Sequence, residues 1–292
     1  MERSELLRRI NTFPLAADQL VRDLFAGDFR SVFRGKGIEF DEVRLYEQGD
    51  DIRSVDWNVS ARYGKPYVKL YREERELSVF LVLDSSASMF VGSEAKHTPC
   101  RFDQALLVAA LIAFSAERSS QRLGAIFFDN ETRSIFKPNK GRPHIMAFIS
   151  AALRAKPKES GTNLALAISG AGRLLKRRSI VVLISDFLSV GWETELGRLA
   201  KKHDCIACRI HDPLDVNFPN VGLISIEDPE TGKRIAADAG SASFRSAWTE
   251  QNAERAVLWS NICKRAGASQ LELSTSQDAF TVIKGFFGAR KR

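Results

Sequence analysis

Five oxygen-bearing side chains stand in three short segments, each beside a stretch with the pattern of a strand or a helix. The five are Asp84, Ser86, Ser88, Thr162 and Asp186. The first three alternate along the chain, which lets their side chains face one side of a loop. Carboxylate and hydroxyl oxygens are ligands of hard cations, so the set favours Mg²⁺, Mn²⁺ or Ca²⁺ over zinc or copper.

Apolar runs place the two aspartates at the ends of predicted strands. Residues 78–83 and 180–184 are almost wholly apolar, as in strands that are buried on both faces of a parallel sheet. Asp84 follows the first run directly, and Asp186 follows the second after one serine. Ligands bind beyond the carboxyl ends of the strands in such sheets, so we expect both carboxylates in that crevice. Thr162, at the start of a predicted helix, can add another oxygen.

The predicted metal site carries little charge. Two carboxylates at most, with neutral hydroxyls, leave a divalent cation incompletely neutralised, and Mg²⁺ gives up its waters reluctantly. A cation with one position open to solvent attracts a carboxylate from outside. The sequence therefore predicts metal-dependent binding of an acidic residue of a partner protein.

The five residues resemble the metal-ion-dependent adhesion site of von Willebrand factor A domains. They match all five positions of that site, in order and on the expected elements. The resemblance implies that the serines and the threonine contact the metal directly. It implies that the aspartates support the metal directly or through water.

A second resemblance lies upstream. A set of short segments resembles the signature of a bacterial family catalogued as domain of unknown function 58. The segments are residues 37–40, 44–46, 49–53, 55–58, 61–62 and 67–69, and residues 31–33 also fit the signature. Members of that family are commonly encoded beside AAA+ ATPases of the MoxR type. The resemblance therefore implies a MoxR-type ATPase as a partner in the assembly or remodelling of protein complexes.

Four residues of this signature form a candidate cluster: Arg53, Asp56, Trp57 and Arg62. They form either a surface for a partner or a buried polar network that holds the N-terminal segment on the rest of the chain. The segment has few apolar runs and needs specific polar anchors to become ordered, which favours the network.

From residue 77 onward, strand patterns alternate with helix patterns. This alternation predicts an α/β fold with a doubly wound, mostly parallel sheet of the von Willebrand factor A or Rossmann-like type. Strands are expected at residues 78–83, 123–128, 132–136, 180–184, 205–210, 221–226, 234–237 and 270–273. Helices are expected at residues 101–117, 144–154, 164–175, 193–202, 244–265 and 279–287.

The N-terminal part of the chain has a different pattern. Apolar residues at helical spacing on both sides of Pro14 predict a broken amphipathic helix that packs on the body of the protein. Residues 67–71 alternate as a strand does. The expected division is residues 1–76 as helix and signature segment, residues 77–288 as a von Willebrand factor A-like domain, and residues 289–292 as a basic tail.

The composition indicates a globular protein of the cytoplasm. The longest apolar stretch, residues 105–114, is shorter than the roughly 18 residues of a membrane span, and acidic residues near the N-terminus fit no signal or transit peptide. Four scattered cysteines fit a reducing compartment. The net charge of +7 comes without a nucleic-acid-binding motif, so no nucleic acid is expected.

The alternative function is a metal-dependent hydrolase, such as a phosphatase with strand-end Asp84 as the nucleophile. That chemistry needs a nucleophile and a positioned general acid or base. Ser86 occupies the position where a second acid would act, and no motif links the histidines to the strand ends, although His97 could approach through the loop after Ser88. We therefore expect a non-catalytic protein.

Overall fold

The computed structural model describes residues 3–25, 39–72, 78–92, 99–157 and 161–290. The chain forms two compact units, of which the smaller is Asp28–Glu76 and the larger combines Met1–Gly27 with Leu77–Arg292. Residues 31–33 and His97, both named above, lie outside the described residues.

A six-stranded sheet forms the centre of the larger unit. Its strands, in spatial order, are β10 (Ser269–Ser274), β7 (Asp204–His211), β6 (Ile180–Ser185), β3 (Ser78–Asp84), β4 (Arg122–Phe128) and β5 (Thr132–Asn139). Neighbouring strands are parallel except in the hairpin of β4 and β5. The predicted fold class, α/β with a mostly parallel sheet, is confirmed.

The strand order changes direction at β3, because the chain continues to β4 on one side and later returns to β6 on the other. The parallel register pairs Leu83 with Ile184, so β3 and β6 end side by side. This is the switch point at which open α/β sheets bind ligands.

Helices cover both faces of the sheet. They are α3 (Arg101–Arg118), α4 (Arg142–Arg154), α5 (Leu164–Leu174), α6 (Glu193–Ala200), the short α7 (Pro213–Val216), α8 (Ala242–Ala266) and α9 (Ala279–Ala289). On one face, α5, α6 and α8 enclose a core that includes Phe80, Phe128 and Trp192. Helix α3 is buried along most of its length, as expected of a helix that is apolar all round.

The N-terminal helix α1 (Arg3–Phe25) runs through Pro14 without interruption, so the predicted break is wrong. Proline removes one backbone hydrogen bond, but the packing of an apolar stripe outweighs that loss. The stripe includes Leu6, Ile10, Phe13 and Leu20, all buried, and the helix packs on α3 and α9. Helix α1 thus belongs with the larger unit, and the expected division of the chain into domains stays a prediction.

The smaller unit contains an antiparallel pair, β1 (Glu39–Leu45) and β2 (Tyr67–Arg72), with a 3-10 helix (Ile52–Ser54) and α2 (Trp57–Tyr63) between them. Both oxygens of Asp50 accept hydrogen bonds from Arg44, at 2.8 and 2.7 Å. Asp56 begins α2 by accepting hydrogen bonds from the backbone N–H groups of Asn58 and Val59. Strand β2 contains the strand that was predicted at residues 67–71.

A separate antiparallel hairpin in the larger unit consists of β8 (Leu223–Glu227) and β9 (Arg234–Asp238). These strands match the predicted pair at residues 221–226 and 234–237, but they stay outside the central sheet. Across the described ranges, no helix is both long and apolar enough to cross a membrane.

Candidate metal site

The first segment of the site is a tight turn that follows β3. Asp84 is fully buried, and its Oδ1 accepts a hydrogen bond from the backbone N–H of Ser86 at 2.9 Å. The chain then enters a 3-10 helix, Ala87–Phe90, and the hydroxyls of Ser86 and Ser88 lie 3.2 Å apart. The three side chains therefore meet through a turn rather than through extended alternation.

The second segment, residues 185–186 at the end of β6, is hydrogen-bonded to the first through Ser185. Its hydroxyl donates to Asp84 Oδ2 at 2.6 Å, and its oxygen accepts from the backbone N–H of Phe187 at 3.0 Å. Asp186 is buried, and its Oδ1 accepts a hydrogen bond from the backbone N–H of Leu188 at 3.1 Å. The second oxygen, Asp186 Oδ2, is buried without a hydrogen-bond partner among the described residues.

The backbone immediately after Asp186 is strained. Phe187 has a φ of 56°, a backbone conformation that residues other than glycine rarely adopt. Its ring is buried against Trp192 and Trp259, with ring centroids 5.2 and 6.0 Å away. Core packing therefore holds the turn that carries Asp186 in place, a form of strain often found at functional sites.

The third segment contains Gly161 and Thr162, and Glu230 of the β8–β9 hairpin connects it to the turn after β3. Glu230 Oε1 accepts hydrogen bonds from the backbone N–H of Ser88 at 3.0 Å and from the hydroxyl of Thr162 at 3.3 Å. Glu230 Oε2 accepts from the N–H of Gly161 at 2.6 Å. One carboxylate thus connects Thr162 with Ser88, and all five predicted residues lie at the same edge of the sheet.

The buried ion pair of Arg101 and Asp215 stabilises the turn that carries Ser88. Arg101, at the start of α3, donates to both carboxylate oxygens of Asp215 at 2.6 and 2.8 Å. The same guanidinium donates to the backbone carbonyls of Ser88 at 3.2 Å and Val91 at 3.4 Å. Arg101 therefore fixes the position of the loop that carries Ser88.

The site holds two buried carboxyl groups that disfavour each other's ionisation. Burial, and then the charge of Asp186, raises the pKa of Asp84 to about 7. Burial also raises the pKa of Asp186. Such a pair is stabilised by a positive charge placed between its members. In the described part of the chain no three His, Cys, Asp or Glu side chains cluster as a metal site, so a cation here would also need the hydroxyl oxygens.

The signature cluster of the smaller unit lies in the 3-10 helix and in α2 with its N-cap. Arg53, Trp57 and Arg62 are exposed, Trp57 to 68% of its surface, and Asp56 is partly buried as the first residue of the α2 cap. Asp56 also pairs with Lys69 at 3.3 Å. Both interpretations of these residues, an anchor for the segment and a surface for a partner, stay predictions.

The geometry adds no support for a hydrolase. Both oxygens of Asp84 already accept hydrogen bonds, from Ser86 and Ser185, and the carboxylate is fully buried. Of the described histidines, His144 bonds to a backbone carbonyl, and none bonds to Asp84 or Asp186. That the protein is non-catalytic stays a prediction.

Three residues of this edge were not identified from the sequence: Ser185, Arg101 and Glu230. Ser185 directly precedes Asp186, so a polar pair after an apolar strand was a usable signal. Arg101 and Glu230 reach the site from other elements, and no local pattern marks them.

Comparison with known proteins identifies relatives over nearly the whole chain. The family model described as "Protein of unknown function DUF58" matches residues 42–257. The uncharacterized proteins Rv1480 of Mycobacterium tuberculosis and Mb1516 of Mycobacterium bovis are each 32% identical over 293 residues, which covers 99% of this chain and 90% of theirs.

Two solved structures are similar to part of this chain. BatB from Bacteroides thetaiotaomicron is 17% identical, with a TM-score of 0.49, over 73% of this chain and 98% of BatB. The SpRpn10 VWA domain is 12% identical, with a TM-score of 0.40, over 72% of this chain and 94% of that domain.

Proposed function

The chain belongs to the DUF58 family, and we propose that within it this protein is a non-catalytic adaptor that binds a partner protein through a divalent cation. The cation is Mg²⁺, with Mn²⁺ or Ca²⁺ as alternatives. Asp84, Ser86, Ser88, Thr162 and Asp186 hold it, and a carboxylate of the partner completes its coordination. The resemblance to the von Willebrand factor A adhesion site supports the same assignment.

One observation carries the proposal: a buried carboxylate oxygen, Asp186 Oδ2, has no hydrogen-bond partner among the described residues. An unpaired buried charge is strongly unfavourable unless a cation or a donor balances it. Asp84 ends the neighbouring strand and is also buried, and the hydroxyls of Ser86 and Ser88 lie 3.2 Å apart in the turn after it. This donor set fits a hard cation.

Each element of the site has a distinct task in this proposal. The cation supplies positive charge that both the aspartates and an outside carboxylate can share. Ser185 and the N–H of Ser86 orient Asp84, and Arg101 holds the turn that carries Ser88. With few negative charges in the site, the cation keeps enough net charge to attract a carboxylate of the partner.

The proposed partner is an AAA+ ATPase of the MoxR type, in the assembly or remodelling of protein complexes. This choice comes from the family resemblance. The cytoplasmic location expected from the composition stays a prediction.

Metal binding is tested first, by isothermal titration of the purified protein with Mn²⁺. We expect one site in the wild type and at least a tenfold weaker site in Asp84→Asn, which keeps the shape of the side chain and removes its charge. The matched control is Glu193→Gln, an exposed acidic residue of α6. Equal binding by all three proteins contradicts the assignment of the site.

Partner capture is tested by affinity purification from the native cell in Mg²⁺ and in EDTA. The MoxR-type ATPase should be retained in Mg²⁺ and lost in EDTA or with Asp84→Asn. Retention in EDTA contradicts a metal bridge. Turnover of a phosphoester by the purified wild type, lost in Asp84→Asn, would instead establish the hydrolase.

A further inference from the structure

The β8–β9 hairpin presents one carboxylate to the metal site from a rigid turn. Asp228 accepts hydrogen bonds from the N–H of Glu230 at 2.9 Å and from the hydroxyl of Thr231 at 2.7 Å. Gly232 closes the turn with a φ of 68°, and its N–H donates to the carbonyl of Asp228 at 2.7 Å. Glu230 therefore stands at a fixed position at the tip of the hairpin.

Around the tip of the hairpin, Glu230 is the residue that is partly buried. From residue 227 to residue 236, all of which are described, every residue except Glu230 is exposed. The strands are also poorly covered, since Leu223 is 83% exposed and Ile235 is 61% exposed. A two-stranded hairpin with so little buried apolar surface is only marginally stable by itself. Its tip is therefore held on the protein mainly by polar contacts of the Glu230 carboxylate.

The donors that bind Glu230 come from the two loops of the proposed metal site. They are the N–H of Ser88, the N–H of Gly161 and the hydroxyl of Thr162. Two of these three residues are proposed cation ligands, and the third is next to one. An outside carboxylate that approached a cation held by Ser88 and Thr162 would need the same space and the same donors.

We propose, on the basis of the function proposed above, that Glu230 is an internal ligand that occupies the partner's carboxylate position until an acidic residue of the partner displaces it. The hairpin then acts as a movable cap on the site. An external carboxylate must compete with a tethered one, whose effective concentration is on the order of millimolar for a short connection. A weak acidic ligand therefore cannot displace Glu230 from the site, whereas a partner that makes additional contacts with the protein can.

The test compares wild type with Glu230→Ala and with the matched control Glu227→Ala. Glu227 is in the same hairpin, but it is exposed and pairs with Arg234 on the surface. Each protein is loaded with Mn²⁺ and titrated with a short labelled peptide that contains one glutamate, and with the same peptide containing glutamine. Glu230→Gln is a second variant that keeps the length of the side chain.

We expect Glu230→Ala and Glu230→Gln to bind the glutamate peptide about tenfold or more tightly than wild type. Glu227→Ala should match wild type, and the glutamine peptide should bind none of the proteins. Without metal, hydrogen exchange at residues 86–90 and 161–163 should accelerate in Glu230→Ala and not in Glu227→Ala.

The outcomes separate this inference from the proposed function. If wild type and the Glu230 variants all bind Mn²⁺ but have equal affinity for the peptide, the internal ligand is refuted and the metal site stands. If the Glu230 variants lose Mn²⁺ binding, Glu230 is a permanent ligand, which also refutes the cap. If neither wild type nor the variants bind Mn²⁺, the proposed function fails, and the inference fails with it.

Discussion

Replacing Arg101 with methionine removes the support behind the Ser88 turn while keeping an unbranched side chain of similar length. The change breaks the paired hydrogen bonds to Asp215 and those to the carbonyls of Ser88 and Val91. Arg101 is 8% exposed, so water cannot replace these contacts at the guanidinium position. Both stability and metal affinity should therefore fall.

The magnitude follows from the burial of the two partners. Removing one member of a buried ion pair costs about 3–5 kcal/mol, because the other charge is left uncompensated. The Asp215 side chain is 19% exposed and still accepts a hydrogen bond from the N–H of Asp212, so water and that bond reduce the loss. We expect the free energy of unfolding to fall by about 3 kcal/mol. Loss of a residue that orients a metal ligand should weaken Mn²⁺ binding by about 10- to 100-fold.

The assay is urea unfolding in EDTA, followed by tryptophan fluorescence, to which Trp192 and Trp259, both buried in the larger unit, contribute. A double-mutant cycle with Asp215→Leu isolates the pair. The double variant should be more stable than the sum of the single losses predicts, because neither charge is then left unpaired. Additive losses, or a loss below about 1 kcal/mol for Arg101→Met, would refute the reasoning.

Other substitutions probe the core and its response to pH. Gly124→Ala should lower the free energy of unfolding by about 1–3 kcal/mol, because its Cβ would lie 2.6 Å from Cδ2 of buried Phe80. The control Gly197→Ala, in α6 with open space around it, should raise it by about 0.5–1 kcal/mol in the same urea experiment. Burial lowers the pKa of His203 below 6.5, so wild type should lose stability as the pH falls below that value. Unfolding of His203→Leu between pH 5 and pH 8 should lack this component, and an unchanged pH profile would contradict the assignment.

The sequence predicted the central elements because buried parallel strands are nearly continuous apolar runs. Residues 78–83 and 180–184 lie within β3 and β6, and the polar residues after them lie where strand-end geometry requires. Prediction failed where packing between distant parts decides the local structure. Pro14 predicted a break, yet contacts of α1 with α3 and α9 stabilise a continuous helix.

The common location of the five candidate residues was predictable, whereas the positions of Arg101 and Glu230 were not. The five sit on motifs that strands and helix starts position locally. Glu230 reaches Ser88 from 142 residues away, and Arg101 reaches Asp215 from 114 residues away. A local pattern contains no information about such contacts, because the packing of whole elements brings them together.

The order of strands in the sheet also governs when the site can form during synthesis. The hydrogen bond between Asp84 and Ser185 spans 101 residues, and β3 needs both β4 and β6 as neighbours. Contacts between such distant residues form late, because a long stretch of chain must first be ordered. A nascent chain that ends just before β6 therefore carries Asp84, Ser86, Ser88 and Thr162 without Asp186. Cation binding would thus report that β6 has joined β3 in the sheet and could not guide the earlier steps of folding.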